Sequence, residues 1–560
     1  MQHIFGDVLR RIDPVFYSTA LAVLALVYAA WRAVVGHRIG VSDRVYRPLL
    51  LMACVAGSLG SLVAFWLALQ YVDVPGFIDH IEPQIAAVGW RSCLGDPAHP
   101  NLYTDAQTAL PYGPIDYHIQ CIAFKLWGPS IAVSKAIGIA AYALTLIIIF
   151  SLVFCHWPRL RQTSSAVLFV GWSGVVLPVM ATDNPNAYFW NRPEPLLMML
   201  ASVGAVASLM RHQSARAVIL GVLAGLAIAL KPSAMFAFLP LLALNFPWHS
   251  VREALAAFAI FLVFCTATVA LAFVGDDVEG YILRTIIDVQ SDTVPILVLQ
   301  TVALAVVISI PVAAGLWGRD KIEARFKASV LSYLLCLAMG IYAGSRQGAG
   351  SHHLTHYFPV AIALALAGAR PGAAETGRPH GREVSTAIAG LTLLTLPLAG
   401  HYGIRLLDAY GKSEPIRPHL EEIQQIAARL KGRQVYYGVT DDKSYSLTWL
   451  RPEVVFRAGG SYLADPAALM GLAEIAPPAE AVLHRIADCH GAVWLMPAQG
   501  EPLSLVLYGA TSKDQVVYNR SYAQVLHEYY EHTETIGAYA LWTCKADQQD
   551  PIAAEHREIR

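Results

Sequence analysis

The sequence predicts a polytopic α-helical membrane protein followed by a C-terminal α/β domain. Of its 560 residues, 56% are hydrophobic and only 14% are charged, a composition more apolar than a soluble core requires. Long apolar segments follow one another as far as about residue 410, and the chain then becomes polar and mixed in composition. The formal net charge of −1 gives no basis for a nucleic-acid partner.

The apolar part divides into segments of the length that a bilayer requires. A membrane-spanning helix needs about 20 mostly apolar residues, and about twelve such segments are predicted. They run near residues 16–36, 48–71, 131–155, 164–181, 193–211, 215–231, 233–246, 252–275, 294–317, 328–344, 354–369 and 384–407. A helix near 112–128 is either a further span or a juxtamembrane helix, because Asp116, His118 and Lys125 interrupt its apolar run.

The charges between these segments predict which loops face the cytoplasm. Short cytoplasmic loops carry an excess of Lys and Arg. The basic residues of alternate loops are Arg32, Arg38, Arg44 and Arg47, then Arg159 and Arg161, Arg211 and Arg216, Arg252, the group from Arg319 to Lys327, and the group from Arg370 to Arg382. The acidic loops are therefore predicted to be extracytoplasmic. They include residues 72–130, called here the first outer loop, and everything after about residue 408.

The C-terminal region, residues 411–546, is predicted to form a small periplasmic α/β domain. Short β-rich runs alternate there with helix-like runs. The predicted strands are Gln434–Val439, Glu453–Phe456, Gly491–Met496 and Tyr539–Cys544, and the predicted helices are Pro418–Leu430 and Ala467–Ile475. Residues 1–410 would then form the transmembrane catalytic domain, and the polar tail 547–560 is predicted to be disordered.

Two of the eight cysteines, Cys489 and Cys544, adjoin predicted strands of the outer domain. An oxidising compartment would permit a disulfide between them, with Cys93 as an alternative partner on the same side. Five others lie in apolar helices and are interpreted as small core residues. These are Cys54, Cys121, Cys155, Cys265 and Cys336. No Cys/His spacing in the sequence is typical of a structural zinc site.

The first outer loop contains the candidate catalytic acids, Asp79 and Glu82. Carboxylates held beside a bilayer are costly and point to function. The two acids would share one face if their segment were helical, with Pro83 at the end of that turn. The competing structural interpretation is a helix cap for Asp79 and a solvated acid for Glu82. Asp105 and Tyr112 are candidate substrate-binding residues, and Tyr112 is a candidate to stack on a sugar ring. A helix cap and a Pro-Gly turn are the structural alternatives for these patterns.

Further candidate substrate-binding residues stand at the outer ends of later apolar segments. They are Arg192, Glu194, Lys231, Arg346, His352, His353 and His356. Cationic side chains there would suit a phosphate group, whereas interfacial anchoring and snorkelling are the structural alternatives. His352 and His356, four residues apart, are also a candidate metal pair. A divalent cation is therefore a candidate cofactor, but no cofactor is required.

The order of these motifs resembles the bacterial GT-C glycosyltransferases, relatives of the protein mannosyltransferases and the lipid A aminoarabinose transferases. The resemblance covers about residues 48–370. It rests on an acid pair in a first outer loop, on the Leu-Tyr-Thr-Asp and Pro-Tyr-Gly-Pro elements, and on the later Arg-Pro-Glu, Lys-Pro and Gly-Ser-His-His segments. It implies a GT-C fold, a first-loop acid as catalytic base and later loops that hold the phosphate of the donor. The acids are not the adjacent pair often seen in these families, so the base is either Asp79 or Glu82. We favour Glu82, because Glu-Pro before an amphipathic helix best matches the periplasmic subfamily.

The resemblance implies inverting transfer of a sugar from a polyprenyl phosphate to a lipid, glycan or protein acceptor, on the extracytoplasmic face of a bacterial inner membrane. The sequence contains no P-loop or dinucleotide motif that would hold a nucleotide donor. Two other classes stay open. One is a polysaccharide polymerase or ligase that uses a lipid-diphosphate donor, and the other is a flippase or transporter of lipid-linked sugars. A transporter would place charges at the bilayer midplane, whereas the charges here cluster at one face.

Overall fold

The computed structural model describes two compact units of the chain. The described residues are 43–546 except 102–106, 109, 157–161, 181–185, 211, 245, 248–249, 290–292, 318–323, 347–348, 370–379, 459–463, 473–479 and 507–515. Unit 1 draws on Met1–Val72, Gly138–Ala272 and Ser291–Asp408, and unit 2 draws on Asp73–Ile137, Phe273–Gln290 and Ala409–Arg560. The predicted span 16–36, Asp105 and the tail 547–560 lie outside the described residues.

Unit 1 is built from apolar helices. They are Asp43–Gln70, Ile131–His156, Gln162–Met180, Pro193–Ser208, Gln213–Ile228, Phe238–Ala243, Val251–Ala272, Pro295–Trp317, Ala324–Gly344, Tyr357–Ala369 and His380–Ser413, with short 3₁₀ helices Tyr71–Asp73, Pro232–Ala237 and Ser351–Leu354. The first residues of the helix Ile131–His156 and the last residues of the helix His380–Ser413 belong to unit 2. Every predicted span from residue 48 onward coincides with helical structure.

Six stretches of the described chain are long and apolar enough to cross a membrane. They are Arg44–Asp73, Ile131–Cys155, Val251–Ala272, Pro295–Ala314, Ala324–Gly344 and Ser385–Arg429. Four further apolar helical stretches of the described chain have only 10–17 residues: Val167–Met180, Pro193–Ser208, Gln213–Ile228 and Pro232–Ala243. The membrane class of the protein thus agrees with the sequence, whereas the predicted number of twelve spans is not confirmed.

Small residues let two of the unit 1 helices approach closely. Gly57 faces Gly171, and a Cβ atom placed on Gly57 would lie 2.8 Å from the Cα of Gly171. A side chain at either position would therefore force the helices apart. Small residues are common where membrane helices meet. Lipid is as apolar as the helix surface, so association depends on close packing rather than on a hydrophobic driving force.

Unit 2 combines the first outer loop with a four-stranded sheet. Its helices are Glu82–Cys93, Pro114–Trp127, Val278–Val289, Arg417–Arg429, Arg451–Ala458, Pro466–Leu472, Glu480–Ala487 and Arg520–Tyr529, with 3₁₀ helices Glu414–Ile416 and Tyr445–Leu450. The strands are β1 (Gln434–Tyr437), β2 (Ala492–Pro497), β3 (Tyr530–Ile536) and β4 (Tyr539–Cys544). Their spatial order is β1-β2-β4-β3, and only the β1–β2 pair is parallel.

One hydrophobic core joins the first outer loop to the C-terminal region. Ile85 and Tyr117 of the loop are fully buried in the same cluster as Val454 of the C-terminal region and Val493 of β2. Burial of apolar area is the main stabilising contribution of such a cluster. The residues around the candidate acids are therefore packed against the C-terminal region rather than standing as an independent loop.

The sequence interpretation was wrong about two local features of unit 2. Glu453–Phe456, predicted as a strand, lies in the helix Arg451–Ala458. Pro452 in the first turn and Glu453 beside the positive end of the dipole are helix-start signals that outweigh the β-branched run. Pro83 likewise stands in the first turn of its helix rather than at the end of a turn. β3 was not predicted.

Two disulfides connect elements of unit 2. Cys489 pairs with Cys544, which confirms that predicted bond. Cys93 pairs with Cys121, so the interpretation of Cys121 as a core thiol was wrong. Cys93 ends the helix that begins at Glu82, and Cys121 lies within Pro114–Trp127. The bond therefore fixes these two helices of the first outer loop to each other.

Candidate active site

Asp79 lies in the bend before the helix that begins at Glu82. Its Oδ2 accepts a hydrogen bond from the backbone N–H of Ile81 at 3.0 Å, and its Oδ1 lies 3.4 Å from Nδ1 of His80. The Asp79 side chain is 7% exposed, whereas that of His80 is 40% exposed. The first of the two acids is thus oriented by its own turn and adjoins a solvent-facing imidazole.

Glu82 is the first residue of its helix and is fully buried. A carboxylate at a helix N-terminus is stabilised by the helix dipole. Lys135, also fully buried, is close enough for the Glu82 charge to act on its ammonium. The Lys135 Nζ donates a hydrogen bond to the carbonyl of Val74 at 2.7 Å and lies 5.6 Å from the ring centre of Phe77. Glu82 is therefore not the solvated loop acid of the structural alternative.

Tyr112, the predicted sugar-stacking residue, belongs to the core of the loop. It is 6% exposed, and its carbonyl accepts a hydrogen bond from Nε2 of buried His99 at 2.6 Å. Burial lowers the pKa of His99, although the Asp276 carboxylate acts in the opposite direction. Gln84, in the helix Glu82–Cys93, donates a hydrogen bond from its Nε2 to the carbonyl of Thr108. This bond connects the helix that begins at Glu82 to the segment before Tyr112.

A second group of predicted residues meets in unit 1, called here the cation cluster. Lys231 Nζ lies 2.8 Å from Glu194 Oε1 and 3.1 Å from Nε2 of His353. Glu194 is 1% exposed and Lys231 9% exposed. The other Glu194 oxygen, Oε2, accepts a hydrogen bond from the indole N–H of Trp190 at 3.0 Å. Burial, together with the positive charge of Lys231, holds the pKa of His353 well below its usual value.

Arg192 and His352 both pack against the indole of Trp190. The Arg192 guanidinium lies 3.9 Å from the ring centre of Trp190, a cation–π contact, and its charge acts on Glu194. The imidazole of His352 packs edge-to-face on the same indole, at 5.2 Å between ring centres. With His353 neutral, Arg192 and Lys231 give the cluster one more positive than negative charge.

Arg346 and His356 are placed differently. The Arg346 guanidinium stacks over Tyr342 at 4.3 Å. His356 is buried beside Tyr357, and neither of its ring nitrogens has a hydrogen-bond partner among the described residues. No group of three or more His, Cys, Asp or Glu side chains in the described part of the chain has the arrangement of a metal site.

Sequence reasoning missed Lys135 and the pairing of Lys231 with Glu194. A signal for Lys135 was present, because a lysine four residues into an apolar segment needs an internal partner. No sequence signal joins Lys231 to Glu194, since 37 residues separate them along the chain.

The two groups offer complementary chemistry. A buried carboxylate can accept a proton, provided that its environment keeps it ionised until the reaction. A buried, net positive cluster with Arg and Lys is suited to a phosphate, because charge-assisted hydrogen bonds strengthen where water is excluded. The described residues thus contain a candidate base and a candidate anion site.

Comparison with known proteins identifies the fold. No protein-family model matches the sequence, and no curated protein matches it significantly. Several solved structures match, and two of them are matched over most of their length. The crystal structure of ArnT from Cupriavidus metallidurans bound to undecaprenyl phosphate has a TM-score of 0.53 and 13% sequence identity, over 86% of this chain and 97% of that chain. The same protein in the apo state gives a TM-score of 0.51 at the same identity and coverage. The chain therefore has the fold of these ArnT structures, in agreement with the resemblance that its sequence motifs indicated.

Proposed function

We propose that this protein is an inverting glycosyltransferase that moves a sugar from a polyprenyl-phosphate donor to an acceptor at the extracytoplasmic face of a bacterial inner membrane. The observation that carries the proposal is the buried cation cluster of Lys231, Arg192 and Glu194, which is found in a chain with the fold of an ArnT that was crystallised with undecaprenyl phosphate. A lipid-borne donor also suits a chain with several apolar helices.

In this proposal, Glu82 takes the proton of an acceptor hydroxyl. The hydroxyl oxygen attacks the anomeric carbon of the sugar, and the bond from that carbon to the phosphate oxygen breaks. The electron pair leaves with polyprenyl phosphate, whose negative charge Lys231 and Arg192 stabilise. A phosphate needs no proton in order to leave, so one base and a cationic site suffice, in contrast to the acid–base pair of glycoside hydrolysis.

The environment of Glu82 supports its role as the base. Glu82 stands at the N-terminus of its helix, where the helix dipole interacts favourably with a negative charge, and its charge acts on the nearby Lys135. Asp79 is the alternative base, since it is slightly more exposed and is held by the N–H of Ile81. Arg346, His352, His353 and His356 remain proposed donor-binding residues, and the acceptor remains a lipid, a glycan or a protein. The proposal needs no divalent cation.

The test measures the transfer of radiolabel from synthetic polyprenyl-phosphate sugars into membrane extracts. Wild-type enzyme should form a labelled product, and E82Q should lose at least about a hundredfold in rate while still binding the donor, because general-base catalysis contributes roughly that factor or more. D79N distinguishes the alternative base.

Asp96 provides a matched control on the same loop. It pairs with Arg91 at the surface, where its side chain is 44% exposed, so D96N should retain wild-type transfer. Wild-type turnover by both E82Q and D79N would exclude the proposed chemistry. Consumption of none of the donors by the wild-type enzyme would exclude the proposed function.

A further inference from the structure

The C-terminal region places aromatic rings beside one of the two candidate acids. Tyr445 begins the 3₁₀ helix Tyr445–Leu450, and its ring centre lies 6.4 Å from that of His80. His80 in turn adjoins Asp79, with 3.4 Å between Nδ1 and Oδ1. The Asp79 charge also acts on the phenol of Tyr445. All of these residues belong to unit 2.

Trp449 continues this aromatic surface. Its indole packs edge-to-face against Tyr445, with 6.0 Å between ring centres. Both residues are partly buried. The Trp449 Nε1–H is nevertheless shielded from solvent and has no hydrogen-bond partner among the described residues. A shielded indole N–H normally has a partner, so this donor is suited to an acceptor atom that a bound molecule would bring.

A buried ion pair holds the Tyr445–Trp449 turn in place. Arg451 and Asp465 are 1% and 0% exposed and lie 2.7 Å apart. Arg451 Nη1 donates to the carbonyl of Thr448 at 3.0 Å, and the Thr448 hydroxyl donates to the carbonyl of Tyr445 at 2.7 Å. The aromatic surface is thus fixed before anything binds, which lowers the entropic cost of binding.

The side chain that sequence analysis chose for sugar stacking is less suited to this task. Tyr112 is 6% exposed and packs in the core of unit 2. Tyr445 is partly buried, and the side chain of His80 is 40% exposed. A sugar ring has an apolar face of C–H groups and a rim of hydroxyls, which match an aromatic face and an indole N–H respectively.

We propose that Tyr445 and Trp449 form an acceptor subsite that binds a sugar ring beside the segment that carries both candidate bases, Asp79 and Glu82. The proposal rests on the proposed function and narrows the acceptor to a glycan or the sugar head group of a glycolipid. It also assigns a task to the C-terminal region. That region supplies part of the binding site, and a protein hydroxyl without a sugar does not fill it.

The experiment uses the full-length enzyme and the radiolabelled polyprenyl-phosphate donor that is active in the transfer assay. Three acceptor probes are compared: the glycolipid fraction of the membrane extract, the same fraction after removal of its sugars, and a Ser/Thr-containing peptide. The wild-type enzyme should label only the first. Y445A and W449A should each raise the KM for the glycolipid about tenfold, because each variant removes one aromatic contact with the sugar ring. The KM for the donor should stay within about twofold.

Conservative variants separate binding from folding. Y445F keeps the ring and should retain the wild-type KM for the glycolipid, whereas W449F loses the indole N–H and should raise it about threefold, as the loss of one neutral hydrogen bond implies. Trp542, which packs on His532 in a different part of unit 2, provides the matched control W542A, for which no change in KM is expected.

Two results would overturn the subsite: labelling of the peptide by wild-type enzyme as fast as the glycolipid, or Y445A and W449A enzymes with unchanged acceptor KM. Absence of donor consumption by wild-type enzyme is a different result, because it overturns the proposed function itself.

Discussion

Replacing Lys231 with methionine tests whether the cation cluster is a buried ion pair with a separate task in donor binding. The Lys231 Nζ lies 2.8 Å from Glu194 Oε1, and Glu194 is 1% exposed. Removing one partner of a buried pair leaves an uncompensated charge, which costs about 3–5 kcal/mol. Because the N–H of Trp190 and the charge of Arg192 remain near Glu194, we expect a cost near the lower limit, about 3 kcal/mol.

The double variant E194Q/K231M separates the two tasks of Lys231. It leaves no unpaired carboxylate, so it should recover most of the lost stability in thermal unfolding of the detergent-solubilised protein. It should not recover binding of polyprenyl phosphate, because the cation stays absent. Lys125 is exposed at the end of Pro114–Trp127, and K125M is therefore the matched control, for which wild-type stability and binding are expected.

Unfolding of K231M within about 1 kcal/mol of wild type, the range of an exposed ion pair, would contradict a buried pair. An E194Q/K231M variant no more stable than K231M would contradict it as well. Wild-type binding of polyprenyl phosphate by K231M would leave the ion pair intact as an explanation of stability but would remove Lys231 from the donor site.

Three other perturbations test unit 2. C93S/C121S removes a disulfide that closes a loop of 28 residues, and we expect the free energy of unfolding to fall by about 3 kcal/mol. Thermal unfolding is measured without reducing agent, so that Cys489–Cys544 stays intact in both proteins. R451M leaves Asp465 buried without its cation and should cost about 3–5 kcal/mol, so an unchanged melting temperature would contradict the buried pair. Burial lowers the pKa of His99, so the unfolded chain binds a proton that the folded one does not, and stability should fall as the pH decreases below the usual histidine value of about 6.5. H99Q should lose less stability than wild type over that range, and equal slopes would exclude His99 as the cause.

The architecture of the apolar region was largely predictable from the sequence, because the length and composition of a helix in a bilayer are properties of one segment. The disulfide between Cys489 and Cys544 was also predictable, because both residues adjoin predicted strands. The number of spans was not predictable in this way, since several apolar helices of unit 1, such as Pro193–Ser208 and Tyr357–Ala369, are shorter than their apolar runs suggested.

Features that depend on tertiary contacts escaped sequence reasoning. Arg192, Glu194, Lys231 and His353 could each be selected as outer-face polar residues, yet their assembly into one cluster depends on how helices pack. The same is true of Cys121, which is indistinguishable from a core thiol until Cys93 is placed beside it. The identity of the base, Asp79 or Glu82, stays a prediction, which the transfer kinetics of D79N and E82Q test.

The most direct test of the central proposal compares two donors that carry the same sugar on the same polyprenyl chain, one as a monophosphate and the other as a diphosphate. Purified enzyme is reconstituted in liposomes with the extracted acceptor, and the initial rate of label transfer is measured for each donor. The proposal predicts transfer from the monophosphate, release of polyprenyl phosphate in equal amount, and loss of both in E82Q. Transfer from the diphosphate alone would contradict it and would favour a polysaccharide polymerase or ligase.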